Sequence, residues 1–202
     1  MRTGRLEALA DGIFAIALTL LVLELPRPAG SDDLARELVH QWPFYAAYVV
    51  SFLTIAIVWV NHHALMDGVA RADRAMLELN LLLLLFVALV PWPTGLLAEY
   101  LREGEQSAPA AVTYGLTMTC MAASFTGIWL YLHRRKDLVQ PHARSRIGKA
   151  VRRSLVGPLA YALATAVALI SAQAAFTLFA AVAAYFAITG RVASPDASDT
   201  ET

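Results

Sequence analysis

The sequence predicts an all-α, polytopic membrane protein with six transmembrane helices in each subunit. Three observations predict it. Of its 202 residues, 58% are hydrophobic, against about 45–50% in an ordinary soluble domain. The mean hydropathy is +0.55. The charged residues, 16% of the chain, gather in short blocks between long uncharged runs. A span needs roughly 20 mostly apolar residues to cross about 30 Å of hydrocarbon.

The spans fall at about 6–25, 41–66, 74–98, 107–133, 153–170 and 173–190. Pro26 and Pro28 stop the first. A polar loop with Asp32, Asp33, Arg36 and Glu37 follows. Pro43 suits the first turn of the second span, where its missing N–H is not needed. Gly68 marks the exit of that helix, and Arg71, Asp73 and Arg74 form a short charged turn. Glu99, Arg102, Glu103 and Glu105 separate the third span from the fourth, and a basic block from Arg134 to Arg153 closes the fourth. The uncharged run from Ser154 to Gly190 is too long for one ordinary span. It reads as a hairpin turning near Ser171, with one long tilted helix as the other reading. The Ser/Asp/Thr-rich tail 191–202 has the composition of a disordered segment.

Lysine and arginine set the orientation. Starting from the inside, thirteen of the sixteen lie on inner segments, and Arg27, Arg36 and Arg102 lie outside. Both termini are therefore expected in the cytoplasm, with the protein in the cell inner (plasma) membrane. Arg2 and Arg5 before an apolar run, with Pro28 to Ser31 behind it, also have the outline of a cleavable signal. Asp11 within that run and Glu24 at its far end argue for a retained helix. The basic block is the ordinary topology determinant and rests on anionic headgroups. No nucleic-acid partner is expected.

Ionisable groups at membrane depth are costly and mark function by default. Arg5, Asp11, Trp59, His62, His63 and Asn80, from three helices, fall at nearly one level near the inner face. Two readings arise: a proton relay or metal site, or a hydrogen-bonded network fixing spans one to three. His62 and His63 point about 100° apart on a helix, poor geometry for two ligands of one metal. The network is favoured, no metal is expected, and Asp11→Asn should disturb folding or assembly more than pH response. The single cysteine, Cys120, has no partner for a disulfide within the chain. With no Ser/His/Asp set and no glycine-rich phosphate loop, nothing points to an enzyme or a cofactor. Ile16, Thr19, Leu20 and Leu23 are at i, i+3, i+4 and i+7, one apolar helical face with one hydroxyl. Such a stripe serves helix packing or lines a pore.

The stretch from Arg5 to Leu25 resembles the first helix of the transmembrane protein 175 family, which includes a lysosomal and endosomal potassium channel of animals and bacterial homologues. The family's mark is Arg, three residues, then Phe-Ser-Asp. Arg5 and Asp11 match it, while Leu9 replaces the Phe and Ala10 the Ser. Trp59 to His63, Asn80 to Leu85 and Pro91 to Tyr100 also agree with bacterial members, so the resemblance covers about residues 5–100. It implies a six-helix subunit, a homotetramer and first helices lining a central pore. Carried over, the narrow apolar constriction falls on Ile16, Leu20 and Leu23, and Thr19 on a pore-lining hydroxyl layer. The implied function is a potassium-permeable channel of modest selectivity, passing potassium and other monovalent cations. Glu24 and the acidic outer loops would attract cations. A proton-coupled secondary transporter and a non-conducting membrane scaffold are the competing readings.

Overall fold

The computed structural model describes residues 3–28, 33–101 and 106–190, all built on helices. The tail expected to be disordered lies outside the described residues. Helix α1 spans Thr3–Leu20 and tightens into a 3-10 turn over Leu21–Glu24. Pro26 explains the stop. It has no N–H for the Val22 carbonyl and pushes Leu25 out of the helical region, and Leu25 is extended at ψ 120°.

Where a polar loop was expected, Leu34–His40 forms a short helix, α2. Asp33 caps it by accepting from the Arg36 N–H at 3.1 Å. Helix α3, Trp42–Asp67, has Pro43 in its first turn. Gly68 ends α3, but with φ −79° it is right-handed. Its glycine serves close approach, because a Cβ there would sit 3.3 Å from the Ala143 Cβ.

Helix α4, Arg74–Leu89, is capped by Asp73, which accepts from the Met76 N–H at 3.0 Å. Helix α5, Pro91–Tyr100, continues the same span. Pro91 and Pro93 remove two donors in succession, so the ladder breaks at Val90. Helix α6, Ser107–Arg134, is the longest at 28 residues. Beyond the basic loop come α7 (Ile147–Ser154), α8 (Val156–Ala168) and α9 (Ala172–Gly190). Pro158 cannot donate to the Ser154 carbonyl, and the Thr126 hydroxyl of α6 donates to it instead at 2.9 Å. The run 154–190 turns at Leu169–Ser171, and the Ser171 hydroxyl caps α9 by accepting from the Ala174 N–H at 3.2 Å.

Among the described residues, five helical segments are long and apolar enough to cross a membrane: Thr3–Glu24, Trp42–Asp67, Arg74–Tyr100, Ser107–Arg134 and Ala172–Thr189. The segment expected as the fifth of six spans does not match them. Helix α8 has 13 residues, about 20 Å at 1.5 Å per residue. The residues before it form amphipathic α7, with Arg152 and Arg153 in its last turn.

Much of the outer surface is apolar: Leu159 is 69% exposed, Ile170 90% and Ile188 70%. That surface suits lipid. Between helices in lipid no hydrophobic force acts, so close packing and hydrogen bonds hold the bundle. The Thr94 hydroxyl donates to Ser51 at 2.8 Å, and Ser51 lies 3.0 Å from the Tyr114 hydroxyl, joining α5, α3 and α6. Tyr114, Tyr161 and Phe179 stack α6, α8 and α9 together. Gly115 permits that approach. A Cβ on it would collide with the Thr165 hydroxyl and lie 2.9 Å from Phe179. Neither neighbour yields easily, since Thr165 is β-branched and hydrogen-bonded to the Tyr161 carbonyl at 2.7 Å. Gly115→Val is expected to destabilise the subunit by about 1–3 kcal/mol, read as a lower Tm in detergent.

The loops at the basic end are folded. Val69 pairs antiparallel with Val139, and the Ala70 N–H donates to the Leu138 carbonyl at 2.9 Å. Arg135 forks onto Asp137 at 3.0 and 3.1 Å, and Arg71 adds a third bond at 3.2 Å. The Arg135 hydrogen bonds hold the Asp137 carboxyl down to about 2. The Tyr131 hydroxyl, donating at 2.6 Å, does most to lower Asp73. Carboxyls depressed on folding stabilise above their unfolded values and lose that contribution as pH falls through the folded ones. Any gap in Tm between the native chain and Asp137→Asn is therefore expected to stay constant above about pH 5 and to close only in strong acid.

Candidate functional site

Helix α1 carries two faces with different fates. Leu6, Ala10, Phe14, Ala17 and Leu21 are buried against the neighbouring helices. On the other side of the helix Ile16 is 58%, Leu20 40% and Leu23 69% exposed, and Thr19 is exposed beside them. Gly12 extends this face towards the N-terminus, with nothing within 4 Å of the position of its Cβ. The 3-10 turn sharpens the alignment. In that geometry side chains at i and i+3 eclipse, so Leu23 stands nearly over Leu20. The Ile16, Leu20 and Leu23 side chains thus form three apolar levels, each about 6 Å from the next.

Thr19 donates its hydroxyl proton to the Ile16 carbonyl at 2.8 Å. The hydrogen-bonding demand of the donor is met within the helix, and the oxygen lone pairs remain available on the exposed side. The Glu24 carboxylate packs against Gly95 of α5, whose missing side chain makes the space. It therefore points into the subunit rather than along the Leu20–Leu23 face.

The polar residues near the N-terminus of α1 form separate pairs. The Trp59 indole N–H donates to Asp11 Oδ1 at 2.9 Å, tying α3 to α1. His62 Nε2 lies 2.7 Å from Asn80 Oδ1, tying α3 to α4. With the Asn80 oxygen as the acceptor, this hydrogen bond forms in the His62 tautomer that carries its proton on Nε2. Both residues are 1% exposed. Phe14 of α1 covers the His62 ring at a centroid distance of 5.6 Å. The Asn80 amide nitrogen is buried with no partner among the described residues. His63 turns the other way, and its Nδ1 lies 3.2 Å from Glu7.

Asp11, Trp59, His62, His63 and Asn80 thus lie at helix contacts joining α1, α3 and α4. Arg5 is exposed and makes no ion pair among the described residues. Glu7 was not among the residues singled out from the sequence. Its link to His63 spans 56 positions, and no local pattern announces it. Glu7, His63 and Asp67 offer donor atoms within 4.8 Å of one another, with His63 and Asp67 exposed. The two adjacent histidines have different partners on different helices.

Comparison with known proteins fits this geometry. A family profile described as "Endosomal/lysosomal potassium channel TMEM175" matches residues 5–91, which hold nearly all of α1, the polar pairs and Pro91. A potassium channel of Streptomyces collinus is 47% identical over 187 residues, covering 91% of each chain. The endosomal/lysosomal proton channel TMEM175 of Gallus gallus is 35% identical over 69% of this chain and 30% of its own length. The crystal structure of a lysosomal potassium-selective channel TMEM175 homolog from Chamaesiphon minutus superposes with a TM-score of 0.85. It is 37% identical, with 93% of this chain and 97% of that one covered. The same fold and near-complete coverage at this identity have one reading: the chain belongs to the TMEM175 family.

Proposed function

We propose that the chain is one subunit of a potassium-permeable cation channel, a homotetramer of six-span subunits whose first helices line a central pore. The observation that carries this reading is the uncovered face of α1. Ile16, Thr19, Leu20 and Leu23 stay exposed in a helix whose opposite side is fully packed. Four copies arranged about an axis would close three apolar rings around a path. A narrow apolar ring resists water, so it gates by dewetting and conducts when it widens. Thr19 oxygens would replace part of the hydration lost there. Helix α1 keeps its carbonyls in its own ladder, so no ring of backbone oxygens is offered and selectivity for potassium over sodium is modest. In this arrangement α8 makes the fifth crossing with amphipathic α7 at its cytoplasmic end, and both termini face the cytoplasm of a cell with this protein in its plasma membrane.

The pairs Asp11–Trp59, His62–Asn80 and His63–Glu7 hold α1 against α3 and α4 so that the stripe keeps its direction. Asp11 is thus an anchor of the pore helix rather than part of the path. A second reading, proton passage through these groups, draws on the same cluster and on the proton-channel name of the Gallus gallus relative. Native mass measurement tests the assembly, since a stable monomer or trimer removes the four-helix pore. Flux into liposomes tests conduction. Passive potassium entry without a pH gradient is the expected result, and transport only under a proton gradient favours the second reading.

A further inference from the structure

A cavity of about 530 Å³ lies among α3, α6, α7, α8 and α9, and none of its lining residues belongs to α1. Its shaft is mostly apolar, walled by Ile57, Val58, Met121, Phe125, Trp129 and Phe186, with Thr54, Asn61, Ser154 and Tyr161 as the uncharged polar residues of the lining. Its mouth carries Arg146, Lys149 and Arg153, and none of its lining residues is an Asp or Glu. Arg153 Nη2 is buried with no hydrogen-bond partner among the described residues. A buried, unpaired guanidinium N–H is costly, and a phosphate oxygen is the acceptor its geometry suits best. Along α3 the cavity runs from Thr54 to Ala64, about 15 Å at the helical rise. That is about half of the hydrocarbon thickness, the depth of one leaflet.

We infer that this cavity binds an anionic phospholipid from the leaflet that α7 faces. Its phosphate rests on Arg146, Lys149 and Arg153, and one acyl chain fills the shaft. Free phosphate would satisfy the guanidinium but leave the apolar walls without contact. A zwitterionic lipid would fill the shaft but bring its own cation to three others. The site is separate from the α1 face, so it stands or falls independently of conduction.

Trp129 in the shaft wall is a built-in reporter. The full chain is reconstituted in phosphatidylcholine vesicles containing a minor fraction of phosphatidylglycerol brominated in mid-chain. A parallel sample carries brominated phosphatidylcholine at the same fraction. The Trp129 emission is the difference between the native chain and Trp129→Phe. Stronger quenching by the brominated phosphatidylglycerol is expected. Lys149→Gln, at an exposed position, should weaken that preference about fivefold, the usual worth of one basic residue near an anionic surface. Comparing the two lipids on the native chain's total emission needs no variant. Equal quenching by both lipids means annular lipid only and overturns the inference. So does relief of the quenching by inorganic phosphate, which marks a free-anion site. Failure of both lipids to quench Trp129 overturns it too, since protein then covers the cavity.

Discussion

Leu20→Ala is expected to raise passive potassium flux into liposomes about tenfold, equivalent to about 1.4 kcal/mol off the barrier. Leu20 lies in the middle of the three apolar levels on α1, between Ile16 and Leu23. In a four-fold assembly the change withdraws three carbons from each of four sides of one ring. The ring widens and loses apolar wall together, and both effects favour wetting. The backbone has little freedom to close the gap, because Phe14, Ala17 and Leu21 pin the opposite face. Leu20 is 40% exposed in the subunit, so the substitution leaves no cavity in the subunit core. Flux should change while Tm hardly moves, and that pairing separates a pore residue from a packing residue. Radiotracer uptake and thermal unfolding on the same preparation measure both.

His62→Leu is expected to have the opposite signature, a loss of fold or assembly. Asn80 already has a buried amide nitrogen without a partner among the described residues. Removing His62 would leave its oxygen unpaired as well, in a site where both residues are 1% exposed. A buried polar group stripped of its partner costs about 1–3 kcal/mol, and no bulk water compensates at membrane depth. A lower Tm and a broadened or aggregated elution profile are expected. Asp11→Asn should act in the same direction but less strongly. The amide oxygen can still accept from the Trp59 indole, and only the charge assistance is lost. A well-folded His62 or Asp11 variant whose only defect is an abolished proton response would argue for a relay instead.

The helices were legible because hydropathy and charge are local. Uncharged runs bounded by Pro26, Gly68 and the basic block give most of the bundle, and the α1 stripe follows from its 3.6-residue period. Other features were hidden for physical reasons. Helix α2 is only seven residues long and carries the charges of a loop. The Thr94–Ser51–Tyr114 chain consists of neutral hydroxyls inside apolar runs, which neither charge nor hydropathy flags. Helix α7 lies within the basic block, so its charges read as a topology signal rather than as an amphipathic helix feeding α8. The polar cluster was legible by depth, but its pairing was not. His62 and His63 are neighbours in sequence and belong to different contacts. The bond from His63 to Glu7 depends on how α1 and α3 are packed.

On the function proposed here, the exposed stripe of α1 lines a passive cation path. Potassium flux into proteoliposomes without a proton gradient, repeated with sodium in place of potassium, tests it most directly. Flux in the absence of any pH gradient, a modest preference for potassium and a marked rise in Leu20→Ala are the expected results. Flux that appears only when protons move, or that Leu20→Ala leaves unchanged, would contradict it.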